Sequence, residues 1–206
     1  MTQRFELHPT HPQRRLIQQA QAVLKAGGLI VLPTDACPVL ACGLGHKEAV
    51  DRLRALRGLD DRHLLTLLCR DLAEVGTYAQ IDNRQYRFLR EWTPGAYTFI
   101  LPATREVPRR LWHPSRKTVG LRVPDHPVAQ ALLEAHGEPM IGSSLILAGE
   151  DEPLIEAEEI MRRLAGRIEL LLDADSAGTQ STTVVDMTTQ TPQVVREGRG
   201  PIDRMT

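Results

Sequence analysis

Arg122 is the lone charge in an apolar run, Thr118–Val123, that alternates like a buried strand. A guanidinium there is costly unless it is paired. Its planar fork suits a carboxylate or a phosphate, and in sequence it competes for that role with a structural partner such as Asp125. Four other segments carry hydroxyls or cations beside apolar runs. Thr34 and Asp35 follow the run Leu29–Leu32, where a strand end would place them in a loop at the edge of the sheet. In open α/β sheets such positions bind ligands, although Thr34 and Asp35 could equally cap their own loop. Thr98 follows the Pro94-Gly95 turn. Ser143 and Ser144 lie among small residues where amides and hydroxyls suit a phosphate. Ser181 and Thr182 precede a Val-Val-Asp strand, and Arg196 ends the next one.

Several chemistries have no support. The chain carries no GxxxxGK[ST] phosphate loop, no GxGxxG turn and no GxSxG elbow. No His, Cys, Asp or Glu set has zinc or calcium spacing. Cys37 and Cys42 have no second pair, and with Cys69 they make an odd count that suits a reducing, cytoplasmic setting. No apolar run approaches the ~20 residues that cross a bilayer, and the first eight residues are polar and mixed, unlike a secretory signal. Phosphate chemistry would therefore fall to backbone amides, hydroxyls and scattered cations.

The elements that must position these groups alternate. Apolar residues at helical spacing predict helices over 12–26, 46–57, 84–92, 126–136 and 155–165. Short apolar runs predict strands at 29–32, 64–69, 98–101, 118–123, 140–147, 168–172, 182–187 and 193–196. The expected architecture is an α/β fold, a mixed, twisted, open sheet with flanking helices. The 206 residues, 42% hydrophobic and 25% charged, suit one domain, 1–206, with 198–206 as a mobile tail. Only 4% of residues are aromatic, so the core is expected to be aliphatic. Net charge is −1, yet 84–122 carries nine Lys or Arg against two acids, and 123–173 carries three against eleven. Either the two stretches pair across the fold or the basic one makes a field for polyanions.

In this order and spacing the segments resemble the YrdC/YciO family, and the resemblance spans about 16–198. The family's PTDTxYGL loop reads here as Pro33-Thr34-Asp35-Ala36-Cys37-Pro38-Val39-Leu40, so its Tyr is Pro38 and its Gly is Val39. Its Lys-x-Arg-Pro reads Arg57-Gly58-Leu59-Asp60, and its Ser-x-Asn reads Ser144-Leu145-Ile146. Its PGPxT and VRxP are kept through Thr98 and Arg122, and Ser181, Thr182 and Arg196 match later positions that face the nucleotide.

These departures are similar to those of the YciO branch. The resemblance implies a twisted open sheet with a large concave cleft. It also implies threonylcarbamoyl-AMP synthesis from L-threonine, bicarbonate and ATP, with Mg²⁺ on the phosphates, for a tRNA modification. The activity expected is weak or altered, because the cation and donor lost at Leu59 and Ile146 would act on the leaving phosphates. On this reading Thr34, Arg57, Thr98 and Arg122 face threonine, and Ser144, Ser181, Thr182 and Arg196 face the nucleotide. The alternative is a protein that binds double-stranded RNA, tRNA or a nucleotide without synthase activity. Arg109, Arg110, Arg116 and Lys117 would then contact phosphates, with Trp112 available to stack on a base.

Overall fold

In the computed structural model, residues 1–60, 62–113, 115–174, 178–189 and 191–203 are described. In chain order these form β1 Gln3–Glu6, α1 Arg14–Lys25, β2 Ile30–Leu32, β3 Val39–Gly43, α2 Lys47–Arg57, β4 Thr66–Leu68, α3 Leu72–Tyr78 and α4 Asn83–Trp92. They continue with β5 Tyr97–Pro102, a 3₁₀ turn at Arg109–Leu111, β6 Thr118–Arg122, α5 Pro127–His136, β7 Met140–Ser144, α6 Ala157–Leu164, β8 Leu170–Asp173, β9 Thr183–Asp186 and β10 Gln193–Arg196.

All ten strands join one mixed sheet in the order β1-β8-β2-β3-β7-β4-β6-β5-β9-β10. Pairing is parallel at β1–β8, β8–β2, β4–β6 and β5–β9, and antiparallel elsewhere. Each predicted strand and helix therefore has its counterpart. Three elements go beyond the prediction. Val39–Gly43, for which no strand was predicted, pairs antiparallel with β2 from Leu32↔Val39, which makes 33–38 the loop of a hairpin. The short β1 lies parallel to β8. The helix α3 starts at Asp71, whose side chain accepts from the Glu74 amide while the Glu74 carboxylate accepts from the Arg70 amide. Asp-x-x-Glu is a capping pattern that the sequence displays.

Side-chain alternation sorts the core into two layers. One layer packs Ile17, Ala20 and Leu24 of α1 and Val128, Ala129, Leu132 and Leu133 of α5 against Ile30, Leu32, Val39, Ala41, Leu68, Met140, Leu170 and Leu172. The other sets α2, α4 and α6 against Val31, Leu40, Leu67, Phe99, Leu121, Ile141 and Leu171. The first layer covers only the β1-to-β7 half of its face. On the β4-β6-β5-β9 half the same alternation presents Thr66, Gly120, Arg122, Thr98, Ile100 and Val184, and these line an open cleft. Helix α2 ends beside it, because Gly58 takes the left-handed conformation (φ 65°) that a C-terminal cap requires and leaves Arg57 as the last helical residue.

The expected tail begins on the sheet. The Gly198 amide donates to Thr183 Oγ1, the Thr183 hydroxyl to the Gly200 carbonyl, and the Tyr97 hydroxyl to the Pro201 carbonyl. Residues 204–206 lie outside the described residues. Cys37, Cys42 and Cys69 are free and buried, and burial pushes the Cys42 thiol up to about 12. Among the described residues no helix is long and apolar enough to cross a membrane.

Leu121 is 1% exposed at the centre of the second layer. Leu121→Ala is expected to cost about 2–5 kcal/mol, as a transfer and a cavity term combine. Urea unfolding followed by far-UV circular dichroism measures this, and a shift equivalent to less than about 1 kcal/mol would contradict the layer assignment.

Candidate functional site

The cleft holds a cavity of about 200 Å³ that opens to solvent. Its floor is shaped by two strand glycines. A Cβ at Gly142 would lie 3.0 Å from both Leu68 Cδ1 and Val39 Cγ1, and one at Gly120 would lie 3.4 Å from Thr66 Oγ1 and Thr98 Cγ2. Glycine inside a strand commonly marks close approach by another group, and here it keeps the floor low. Val39, Leu64, Leu68, Ile100, Ile146 and Val184 give the apolar share of the lining.

Arg122 reaches from β6 to the β2–β3 loop, past β4 and β7. Its Nη2 donates to Asp35 Oδ1 at 2.5 Å and to Thr34 Oγ1 at 3.1 Å. The two charged side chains are only 4% and 13% exposed. The partner anticipated at Asp125 is thus replaced by Asp35. Thr34 is 0% exposed. Its hydroxyl donates to the Cys37 carbonyl at 2.8 Å and accepts from the Ala36 amide at 3.1 Å, as well as from Arg122. That capacity is filled within the loop, so Thr34 organises the loop and does not line the cleft. The Arg122 Nε is buried without a hydrogen-bond partner.

At the other end stand Arg57, His63 and Arg196. Arg57 Nε donates to Ser143 Oγ at 3.0 Å, and its Nη1 donates to the Ile146 carbonyl. The carbonyl of Ile146 thus holds Arg57 even though its side chain is apolar. Arg196 Nη2 donates to the Thr182 carbonyl at 2.9 Å. Burial pushes the Arg57 guanidinium below its ordinary value; Cys37 opposes this and the charge of Arg196 adds to it. Among the described residues the lining holds three arginines and no carboxylate. Such a cleft attracts anions.

Of the eight residues anticipated on the threonine and nucleotide sides, Arg57, Thr98, Arg122, Ser144, Thr182 and Arg196 line this cleft, while Thr34 and Ser181 do not. The hydroxyls of Thr98 and Thr182 bond each other at 2.8 Å, and Ser181 Oγ lies 3.9 Å from Cys37 Sγ. Ser143, read in sequence with Ser144 as a phosphate contact, also lines the cleft, and His63, Thr66 and the two glycines join it without having been anticipated. Nothing in the sequence marks His63 except its place six residues beyond Arg57.

Of the basic stretch, Arg122 lines the cleft, whereas Arg105, Arg109, Arg110, Arg116 and Lys117 do not. Arg105, Arg109, Trp112, His113 and Lys117 line a second hollow, also open to solvent. Arg110 Nη2 donates to the Leu44 carbonyl at 2.8 Å, which ties it to the fold, and Arg116 is exposed outside the hollow. Trp112 packs partly on the core, and its Nε1 donates to the Val107 carbonyl. The acidic stretch finds ion partners at Arg4, Arg52 and Arg163, outside the basic run. Among the described residues no group of three or more His, Cys, Asp or Glu could hold a metal ion.

Residues 22–198 match the Sua5/YciO/YrdC family model, described as telomere recombination. The chain is 48% identical over 202 residues to the uncharacterized protein YciO of Escherichia coli K12, covering 98% of each. The crystal structure of E. coli YciO superposes over the whole of both chains with a TM-score of 0.96. A threonylcarbamoyl-AMP synthase of Stenotrophomonas maltophilia is 33% identical over 168 residues, 79% of this chain and 88% of that protein. P. abyssi Sua5, crystallised with L-threonine, shares the fold at 23% identity with a TM-score of 0.87, over 96% of this chain and 58% of that one.

The buried ion pair gives a test. Arg122→Met leaves Asp35 without its cation and is expected to cost about 3–5 kcal/mol, whereas Arg122→Met with Asp35→Leu is expected to cost clearly less than the two single changes summed. A double-mutant cycle in urea measures the coupling, and purely additive losses would count against the pair.

Proposed function

The chain belongs to the Sua5/YciO/YrdC family, and we propose that its cleft binds ATP and threonine and makes threonylcarbamoyl-AMP at a low rate. The observation that carries this reading is a cleft lined by Arg57, Arg122 and Arg196 with no carboxylate among the described lining residues. A polyphosphate fits the Arg57–Arg196 end, where burial, and behind it the charge of Arg196, holds the Arg57 guanidinium below its ordinary value. A carboxylate fits Arg122, which keeps an unfilled donor at Nε. Ser144, Thr98 and Thr182 add hydroxyls to the same lining.

In the reaction the threonine amino group takes up bicarbonate as a carbamate with loss of water. A carbamate oxygen then attacks the α-phosphorus of ATP, the bond to the bridging oxygen breaks, and pyrophosphate leaves. The chain's own contribution is positioning and stabilisation of charge on the leaving group by Arg57 and Arg196. Magnesium would arrive on the nucleotide's phosphates, since it is commonly held by substrate oxygens and water and the described lining offers it no carboxylate. Leu59 lies among the partly buried residues packed on the core and does not line the cleft. At position 146 only a backbone carbonyl reaches Arg57. Two polar contacts for the leaving phosphates are thereby lost, which is the reason for a low rate.

The second hollow favours one further reading, RNA binding without synthesis. Arg105, Arg109 and Lys117 could contact phosphates there, and Trp112 could stack on a base.

Pyrophosphate release that requires ATP, threonine and bicarbonate together tests the first reading, and release at the no-enzyme background would sink it. Arg196→Ala is expected to weaken ATP binding about tenfold or more, with exposed Arg116→Ala unchanged. For the second reading, tRNA titrated at two salt concentrations should bind more weakly at high salt in wild type, and more weakly still in Arg109→Ala. No binding at low salt would remove RNA.

A further inference from the structure

We propose that His63 is a proton-linked third donor of the anion subsite, neutral in the free cleft and protonated as a polyphosphate docks between Arg57 and Arg196. The proposal rests on the anion-binding reading above and adds a residue and a proton to it.

The geometry comes first. His63 lines the same cleft end as Arg57, Ser143 and Arg196. It sits in the loop after α2, where its backbone is tied on both sides. The His63 amide donates to Asp60 Oδ1 at 3.0 Å, and its carbonyl accepts from Arg54 Nη1 at 3.2 Å. The residue is exposed and also lines the cleft. The backbone is fixed by others, so the ring is available to a ligand.

Among the described residues, Arg54 and Arg57 face the ring from α2 and Arg196 from β10, and Asp60 opposes them from its own loop. Loss of hydration on the cleft side, then Arg57 and Arg54, hold the imidazole below its ordinary value, with Asp60 acting against them. An ordinary imidazole titrates near about 6.5, so in the free protein His63 is neutral at pH 7. A bound polyphosphate reverses the sign of the local field. The nearest charge becomes an anion, which favours the charged ring, and the ring then donates a charge-assisted hydrogen bond.

The sign follows from linkage. Binding raises the pKa of His63 from its lowered free value. Above the bound value neither state is protonated, and affinity does not depend on this residue's charge. Between the two values binding takes up a proton, and affinity rises as pH falls. Below the free value both states are charged and the dependence ends. The residue would also grade ligands. A chain of phosphates can span Arg57 and Arg196 and still meet the ring, whereas a single phosphate brings less charge to it.

The test is calorimetric titration of inorganic tripolyphosphate and, separately, of ATP. Buffers of different ionisation enthalpy report the protons taken up. Wild type, His63→Gln and His63→Lys are compared at pH 6, 7 and 8.5. The side chain is at the surface, so both variants should keep the wild-type unfolding midpoint. Wild type is expected to take up about half a proton more than either variant near pH 7, the uptake that a roughly tenfold linkage allows. His63→Gln is expected to bind tripolyphosphate about tenfold more weakly at pH 6 and equally at pH 8.5, the scale of one charge-assisted hydrogen bond. His63→Lys should restore binding and lack the extra proton uptake. Equal uptake in wild type and His63→Gln would overturn the proposal, and so would failure of tripolyphosphate to bind wild type. If tripolyphosphate binds with the extra proton and ATP does not, the role of His63 stands and the nucleotide reading falls.

Discussion

The ion pair between Arg122 and Asp35 is the constraint on which the cleft depends. It joins β6 to the hairpin loop 33–38 and runs past the two strands between them. Thr34 sits beneath it with its hydroxyl fully used. A buried pair of this kind adds little net stability, because desolvation offsets much of the attraction, yet removing one partner is strongly unfavourable. Its effect is therefore to permit one arrangement of the loop and penalise others. The hairpin loop is a fixed wall, tied through Cys37, whose amide donates to the Gln180 carbonyl, to the segment that leads into β9.

The second determinant is what does not cover the sheet. Helices α1 and α5 bury the face from β1 to β7 because its residues are Ile, Leu, Val, Ala and Met. Beyond β7 the same face turns to Thr66, Gly120, Thr98 and Arg122, and a helix packed there would strand hydroxyls and a guanidinium without water. The sequence thus encodes the cleft as a change of composition along one face. The apolar neighbours Leu68, Ile100 and Val184 keep that face from being merely wet.

That change was only partly legible in the sequence. The helices were readable because α1, α2 and α5 repeat apolar residues at three and four, and a left-handed glycine, Gly58 or Gly137, follows α2 and α5. Arg122 was readable because a lone charge in a strand demands a partner. Which partner was not readable, since Asp35 is 87 residues away and only the sheet order brings it near. The strand β3 was hidden because Pro33 and Pro38 bracket its hairpin and their signal for a loop outweighed the run Val39–Gly43. His63 was hidden because a histidine in a polar stretch carries no local pattern, and its role depends on Arg196, which arrives from the far end of the chain. Thr34 shows the reverse case, a residue whose place in a motif suggests contact with ligand and whose hydroxyl is bonded to Cys37, Ala36 and Arg122.

One feature at the rim carries a dynamic consequence. The strand β10 is the outermost of the sheet, all four of its residues are exposed, and its pairing with β9 shifts register between Val194 and Arg196. Edge segments with few buried contacts are the first to open in native-state fluctuations, at free energies well below that of global unfolding. Each such opening would carry Arg196 away from the cleft and dissolve half of the cation pair. The concentration of positive field in the cleft is then a property of an equilibrium at the sheet's edge. Ligand that bridges Arg57 and Arg196 would act as a staple between a helix terminus and a fraying strand, and amide hydrogen exchange in β9 and β10 would slow with its occupancy.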